Sequence, residues 1–226
     1  MKFIDCEQAL FEKMVQWTAE LGFDFFSFGL RAPLPVSNPV AVVISSYPKI
    51  FQDTYEQSDY VSIDPVVQRA LGGEEMVTWT DETRFSRNPE LWHVTRVAGI
   101  LSGVSHPLWG AQGVACLLDL SGYNRVLPAS EVEDKKIRII WLANIAYQSL
   151  SPHLIANYMP AAEIKLSDRE ISVLRWLAEG KATEDIAEIL NIAKRTVDFH
   201  INNAVKKLGT TNRTAATVQA ALLGLL

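Results

Sequence analysis

The residues able to do chemistry in this chain are few, and the commonest catalytic patterns are absent. His93, His106, His153 and His200 are scattered, and Cys6 and Cys116 are the two cysteines. No H-E-x-x-H, C-x-x-C, G-x-S-x-G or glycine-rich phosphate loop occurs. Neither a metal site nor a catalytic residue is therefore expected, and a thiol–imidazole pair of Cys116 with His106 has no spacing in its favour. Two other sets of side chains stand out. One is cationic and polar: Lys194, Arg195, Thr196, His200, Asn203, Lys206 and Lys207, all placed outward on a helix whose inner positions are Val197, Ile201, Ala204 and Leu208. Side chains of these types donate to phosphates and base edges. The other is aromatic and acidic: Phe51-x3-Tyr55, Asp64-Pro65 and Trp79. Taken singly, Asp64 reads as a helix cap ahead of Pro65 and the three aromatics as core.

The cationic set needs a scaffold, and the segment 166–208 supplies it. Ser167 and Glu170 form an S-x-x-E capping box, Ile171, Leu174 and Ala178 share one helical face, and Gly180 is placed as a left-handed stop. A second helix opens at Thr183 or Glu184 with Ile186 and Leu190 inward, a turn follows at Asn191-Ile192-Ala193, and a third helix runs from about Lys194 to Leu208. Two short helices joined by a tight turn are the helix-turn-helix plan, whose second helix enters the major groove. A fourth helix, with Ala215, Val218, Leu222 and Leu225 at helical spacing, completes an all-α unit. Glu170, Leu174 and Gly180 read as cap, core and turn rather than as contacts.

Composition agrees with a nucleic-acid partner only locally. The 226-residue chain has a net charge of −5. From residue 162 onward, nine Lys/Arg stand against eight Asp/Glu, and the earlier residues hold the remaining excess of acid. Clustering on one helix matters more than the total, because distant charges are screened. No apolar run reaches membrane-span length, and the start MKFIDCEQ carries Asp5 and Glu7 in place of an apolar signal core, so a cytoplasmic protein without membrane contact is expected.

The aromatic–acidic set belongs to a different unit. A helix over 5–21, strands over 23–30 and 40–45, a helix holding Phe51 and Tyr55, a helix start at Asp64-Pro65, strands over 76–79, 104–108 and 114–120, and a long helix over 128–150 alternate irregularly. Connections this short and irregular do not suit a doubly wound parallel sheet. They predict an α+β domain, an α/β/α sandwich with a mainly antiparallel sheet. The long helix, through Ile137, Ile140, Trp141, Asn144, Ile145 and Gln148, is expected to cover the sheet and to meet a second subunit. Two prolines in 151–163 place the linker there. The expected organisation is 1–150 as the α+β domain, 151–163 as linker and 164–226 as the all-α, four-helix DNA-binding domain.

At Leu166-Ser167-x-Arg169-Glu170, Leu174, Gly180-Lys181, Asp185-Ile186-Ala187, Ile189-Leu190, Arg195-Thr196-Val197, Phe199-His200, Asn203-Ala204 and Lys207-Leu208, the sequence resembles the DNA-binding domain of LuxR-type transcription factors. Ala182 departs from that pattern, where Thr or Ser is usual, and Thr183 is the neighbour able to replace the lost hydroxyl; Lys181 and Thr183 thus join the candidate DNA contacts. Phe51-x3-Tyr55, Asp64-Pro65-Val66-Val67, Trp79 and Gly103, with GFDFFSFGLRAP upstream, resemble the autoinducer-binding domain of the same family. The resemblance implies a quorum-sensing regulator that binds an N-acyl-homoserine lactone or a related amphiphile, needs no other cofactor, and grips a pseudo-palindromic promoter in double-stranded DNA as a homodimer, with RNA polymerase a further candidate partner. It implies that Asp64 accepts the ligand amide, Tyr55 meets the acyl carbonyl and Trp79 packs on the ring, with Ser27 and Tyr47 at positions that line the pocket. Phe51 stands where a tryptophan would bond the lactone carbonyl, and Cys116 is assigned to a position where Ser or Thr is common. Both changes make the pocket less polar. Two alternatives stay open: an orphan regulator that is ligand-independent or senses a non-lactone signal, and an acyl-lactone hydrolase fused to a DNA-binding domain.

Overall fold

A computed structural model of the chain describes residues 5–80, 88–110, 113–158 and 164–226, with side chains from residue 8. It divides into two compact units, one built mainly on the segment before Tyr158 and the other on Tyr158–Leu226.

The first unit begins with α1 (Asp5–Glu20), followed by the strands β1 (Phe25–Arg31) and β2 (Ala41–Ser45). Then come α2 (Lys49–Gln57), a 3-10 turn (Tyr60–Ser62), α3 (Pro65–Leu71), β3 (Val77–Thr80) and α4 (Pro89–Val97). The strands β4 (Ile100–Trp109) and β5 (Ala115–Tyr123) and the long helix α5 (Ala129–Tyr158) complete it. The sheet order is β2-β1-β5-β4-β3, and every pairing is antiparallel. Because successive side chains in a strand face opposite ways, the sheet has two distinct faces. Phe26, Phe28, Leu30, Leu118, Leu120 and Val104 fill one of them, each 2 % exposed or less, on the side of α1, where Phe11 meets Phe26 edge-on at 5.8 Å. The other face carries Phe25, Ser27, Trp79, Gly103, Ser105, Asp119 and Ser121, which the register sets side by side, under α2, α3 and α4. The expected sandwich with an antiparallel sheet is the one observed.

Two features of α5 differ from the sequence expectation. Its buried stripe is Ile139, Leu142, Ala143, Ala146, Leu150 and Leu154, whereas Ile137 is 83 % and Trp141 53 % exposed. The helix also runs on through Pro152 to Tyr158, across residues read as linker. Proline removes one helical hydrogen bond, but Leu150 and Leu154 keep the four-residue burial spacing. The remaining linker residues 159–163, residues 111–112 and the Cys6 side chain lie outside the described residues.

The second unit holds α6 (Asp168–Ala178), α7 (Thr183–Leu190), α8 (Lys194–Leu208) and α9 (Arg213–Leu222). The capping box forms as read: the Ser167 amide donates to Glu170 Oε2 at 2.7 Å, and the Glu170 amide to Ser167 Oγ at 3.3 Å. Gly180 follows α6 at φ +81°, a backbone region that disfavours any residue with a Cβ. At α7 the cap is Ala182, which has no side-chain oxygen to offer; half of a capping box survives because the Ala182 amide donates to Asp185 Oδ2 at 3.2 Å. Asn191, left-handed at φ 50°, turns the chain into α8. Val173, Ile186, Val197 and Ile201 form one core cluster, and Leu174, Ala204, Leu208, Ala216 and Ala220 another.

Candidate functional site

In the first unit, the candidate binding residues converge on a buried aromatic cluster. Tyr47, Phe51, Val66, Val77, Trp79 and Ile100 form it, with Phe25, Tyr55, Val94 and Ala98 packed against it. The rings follow one another from Phe25 to Tyr47 (centroids 5.3 Å apart), Phe51 (5.2 Å), Tyr55 (5.6 Å) and Tyr60 (5.9 Å). Pro48 starts α2, so Phe51 and Tyr55 fall one turn apart on the same side. Asp64 is fully buried and does two things at once: Oδ1 accepts the Val66 amide at 2.9 Å as the N-cap of α3, and Oδ2 accepts the Tyr55 hydroxyl at 3.0 Å. Trp79 lies over Gly103, its partner across β3 and β4; a Cβ there would run into the indole and would come within 2.6 Å of the Leu120 carbonyl oxygen. Room for the ring, rather than an unusual backbone angle, is what requires glycine at 103.

Beside this cluster lies a polar network that the sequence reading missed. Asp119, 7 % exposed, accepts the Tyr47 hydroxyl at 2.5 Å, the Trp79 indole N–H at 3.1 Å and the Ser105 hydroxyl. Ser105 Oγ also receives the Trp79 N–H at 2.9 Å, and Ser121 donates to the Tyr47 oxygen at 3.2 Å. Ser27 is directly opposite Asp119 in the β1–β5 register. Among the described residues, no lysine or arginine ion-pairs with Asp119, so three neutral donors disperse its charge. A signal was available: Asp119 and Ser121 are polar residues two apart in an otherwise apolar strand, hence on one face.

Cys116 does not join these residues. It is three positions from Asp119 along β5, and an odd separation turns a side chain to the opposite face. It pairs instead with Leu30 and Leu108 on the face that carries Leu118 and Leu120. Burial pushes its thiol up to about 12, so it is a protonated core residue at neutral pH rather than a nucleophile. Two surface clefts, of about 380 and 350 Å³, involve other residues: Glu74, Glu75, Met76, His106, Lys136 and Ile140 line one, and Trp17, Glu20, Leu21, Arg138, Trp141 and Leu142 the other.

In the second unit, α8 presents a distinct outer face. Val197, Ile201, Ala204 and Leu208 are buried, and the positions farthest round the helix from them are Arg195, Phe199, Asn202 and Lys206, all exposed. Thr196, His200 and Asn203 are half-buried on one flank, and Lys181 is exposed ahead of α7. Phe199, 59 % exposed, and Asn202 are not among the expected DNA contacts, although both fall on the face opposite the apolar stripe. Two expected contacts are otherwise engaged and a third is buried. Lys207 donates to Glu170 Oε2 at 2.8 Å, which ties α8 to the capping box of α6. Lys194 pairs with Glu184 at 2.5 Å across the turn. Thr183, 6 % exposed, sits in the first turn of α7 with little surface to offer.

Both units match known families. Residues 7–150 match the model described as autoinducer binding domain, and residues 165–220 the one described as bacterial regulatory proteins, luxR family. The chain belongs to the LuxR family. It is a quorum-sensing type transcriptional regulator with an autoinducer-binding and a DNA-binding domain. The transcriptional activator SolR of Ralstonia solanacearum is 36 % identical over 220 residues, 97 % of this chain and 93 % of SolR. The quorum-sensing regulator RhlR of Pseudomonas aeruginosa is 31 % identical over 230 residues, covering all of this chain and 93 % of RhlR. Among solved structures, Escherichia coli SdiA is similar with a TM-score of 0.82 at 28 % identity, over 98 % of this chain and 92 % of SdiA, and SdiA has also been solved with octanoyl-rac-glycerol. These relatives are transcriptional regulators rather than enzymes, and among the described residues no group of acidic, histidine or cysteine side chains could hold a metal and no helix is long and apolar enough to cross a membrane.

Proposed function

We propose that this regulator binds a small amphiphile, an N-acyl-homoserine lactone or a relative of it, within the aromatic cluster, and that the bound form pairs with a second copy to grip a promoter. The supporting observation is the convergence of Tyr47, Phe51, Tyr55, Asp64 and Trp79 on one buried cluster with carboxylates at its edge. Aromatic walls suit an acyl chain, and buried polar groups fix the head group by hydrogen bonding. A ligand that binds only the folded form stabilises it by roughly 2.7 kcal/mol at a hundred times its dissociation constant. Pairing of two copies would set two α8 helices about 34–36 Å apart, one turn of duplex. The exposed Ile137 and Trp141 on the outer side of α5 are the candidate surface for that pairing.

On α8, Arg195 and Lys206 are the proposed phosphate and base contacts, with Phe199 placed for a thymine methyl and Asn202 for an adenine edge. Lys181, Thr196, His200 and Asn203 flank that face, with Lys194 at its head in competition with Glu184. Mass spectrometry of whatever co-purifies with the expressed protein tests the ligand half: an amphiphile held at about one per chain is expected, and its consistent absence together with indifferent melting curves would remove the signalling role. One observation favours a ligand-independent regulator instead, the unbroken succession of ring contacts from Phe25 to Tyr60.

A further inference from the structure

Most side-chain donors around the proposed ligand site are already engaged within the protein, chiefly by two aspartates; the Trp79 N–H is shared with Ser105 and the Ser121 hydroxyl donates to Tyr47. The Tyr47 hydroxyl, the Trp79 indole and the Ser105 hydroxyl point at Asp119, and the Tyr55 hydroxyl at Asp64. A hydroxyl or an indole has one proton to give. Tyr47 is further engaged as the acceptor of Ser121 at 3.2 Å. Phe51, between Tyr47 and Tyr55 in the run of rings, has no donor at all. Beside the Ser27 and Ser121 hydroxyls, the polar edge of the cluster is dominated by two buried carboxylates, of which Asp119 uses three of about four acceptor positions.

We propose that Asp119 determines the head-group specificity of the site, turning it toward neutral amphiphiles whose head group carries hydroxyl donors and away from heads that need a donor for a ring carbonyl. The inference rests on the ligand-binding reading above and narrows it. A lactone head brings one amide N–H, which suits Asp64, and a ring carbonyl that would have to take a donor from Asp119. Leaving that carbonyl unpaired costs about tenfold or more in affinity. A glycerol-type head brings two hydroxyls to the carboxylate edge and leaves the internal bonds intact. No cation is needed, because the Asp119 charge is already spread over three donors. Replacing Asp119 by serine would release the Tyr47 proton to a ligand carbonyl and leave the Trp79 N–H on Ser105.

Two probes of equal chain length separate the possibilities: 1-octanoyl-glycerol and N-octanoyl-homoserine lactone, titrated into the full chain with thermal melting and intrinsic fluorescence as readouts. The native protein is expected to bind the glycerol ester at least tenfold more tightly, and Asp119→Ser to reverse the order. Asp119→Asn, which keeps the shape of the side chain, is expected to narrow the preference and serves where the serine variant does not fold by circular dichroism. Native protein that prefers the lactone, or variants that keep the native preference, would overturn the specificity role of Asp119 while leaving ligand binding standing. Silence toward both probes in native and Asp119→Ser protein would overturn ligand binding and the specificity together.

Discussion

At the scale of single residues, the proposed ligand site turns on who donates to whom. Phe51 and Asp119 act in the same direction: one removes a donor and the other captures donors already present. Phe51→Trp restores an indole N–H beside Tyr47 and Tyr55 and is expected to raise affinity for N-octanoyl-homoserine lactone about tenfold, read from the ligand-induced shift in melting temperature. Cys116 gives a second expectation. With its thiol at about 12, it should resist thiol reagents at pH 7.5 in a Cys6→Ala background and react fully after denaturation; rapid labelling of the folded protein would mean that the core face of β5 opens. The joint spacing of Phe51, Tyr55, Asp64 and Trp79 was enough to find the cluster, because it survives as linear sequence. Asp119 was not found from spacing because its importance comes from strand register, which places it opposite Ser27 and Ser105 from β1 and β4. The spacing of the resemblance points to Cys116 instead, and the period of two in a strand makes a three-residue error a change of face.

At the scale of elements, the DNA-binding unit was legible in detail. Its helices are local structures closed by local signals: the Ser167–Glu170 box, Gly180 and the Asn191 turn each do what their residue types favour. The exposed side of α8 was harder to rank, since Lys206 and Lys207 are equivalent in composition and differ only in what lies beside them. Lys207→Ala is expected to lower stability by leaving Glu170, 3 % exposed, without its cation, and to change the salt dependence of DNA binding little. Arg195→Ala or Lys206→Ala should instead weaken DNA binding and reduce the slope of log affinity against log salt by about 1; unchanged slopes would place the contact face elsewhere. Glu170 adds a pH signature. Burial alone would push its carboxyl up, but hydrogen bonds from Lys207 and Ser167 outweigh this and hold it below its ordinary value of 4.5. A carboxyl depressed by folding contributes stability above its unfolded pKa and loses it as the pH falls through the folded one. Acid titration of unfolding should therefore show a loss beginning near pH 4.5 that Glu170→Gln no longer shows. The long helix α5 was misjudged for a physical reason: apolar residues occur on both its sides, and sequence alone does not say that Ile139, Leu142 and Ala146 turn inward while Ile137 and Trp141 stay out.

At the scale of the whole molecule, one chain carries a cluster suited to an amphiphile and a helix suited to a major groove, and the regulatory claim is that the first governs the second. Mass action gives the size of the effect: a ligand at a hundred times its dissociation constant adds roughly 2.7 kcal/mol to the folded form, enough to change the active population about a hundredfold where folding is marginal. The measurement that tests this most directly is fluorescence anisotropy of the native protein on a duplex selected from a random pool, with and without saturating 1-octanoyl-glycerol. The account predicts that the ligand lowers the protein concentration at half-saturation by at least about tenfold; superimposable curves, with the ligand shown to be bound, would contradict it.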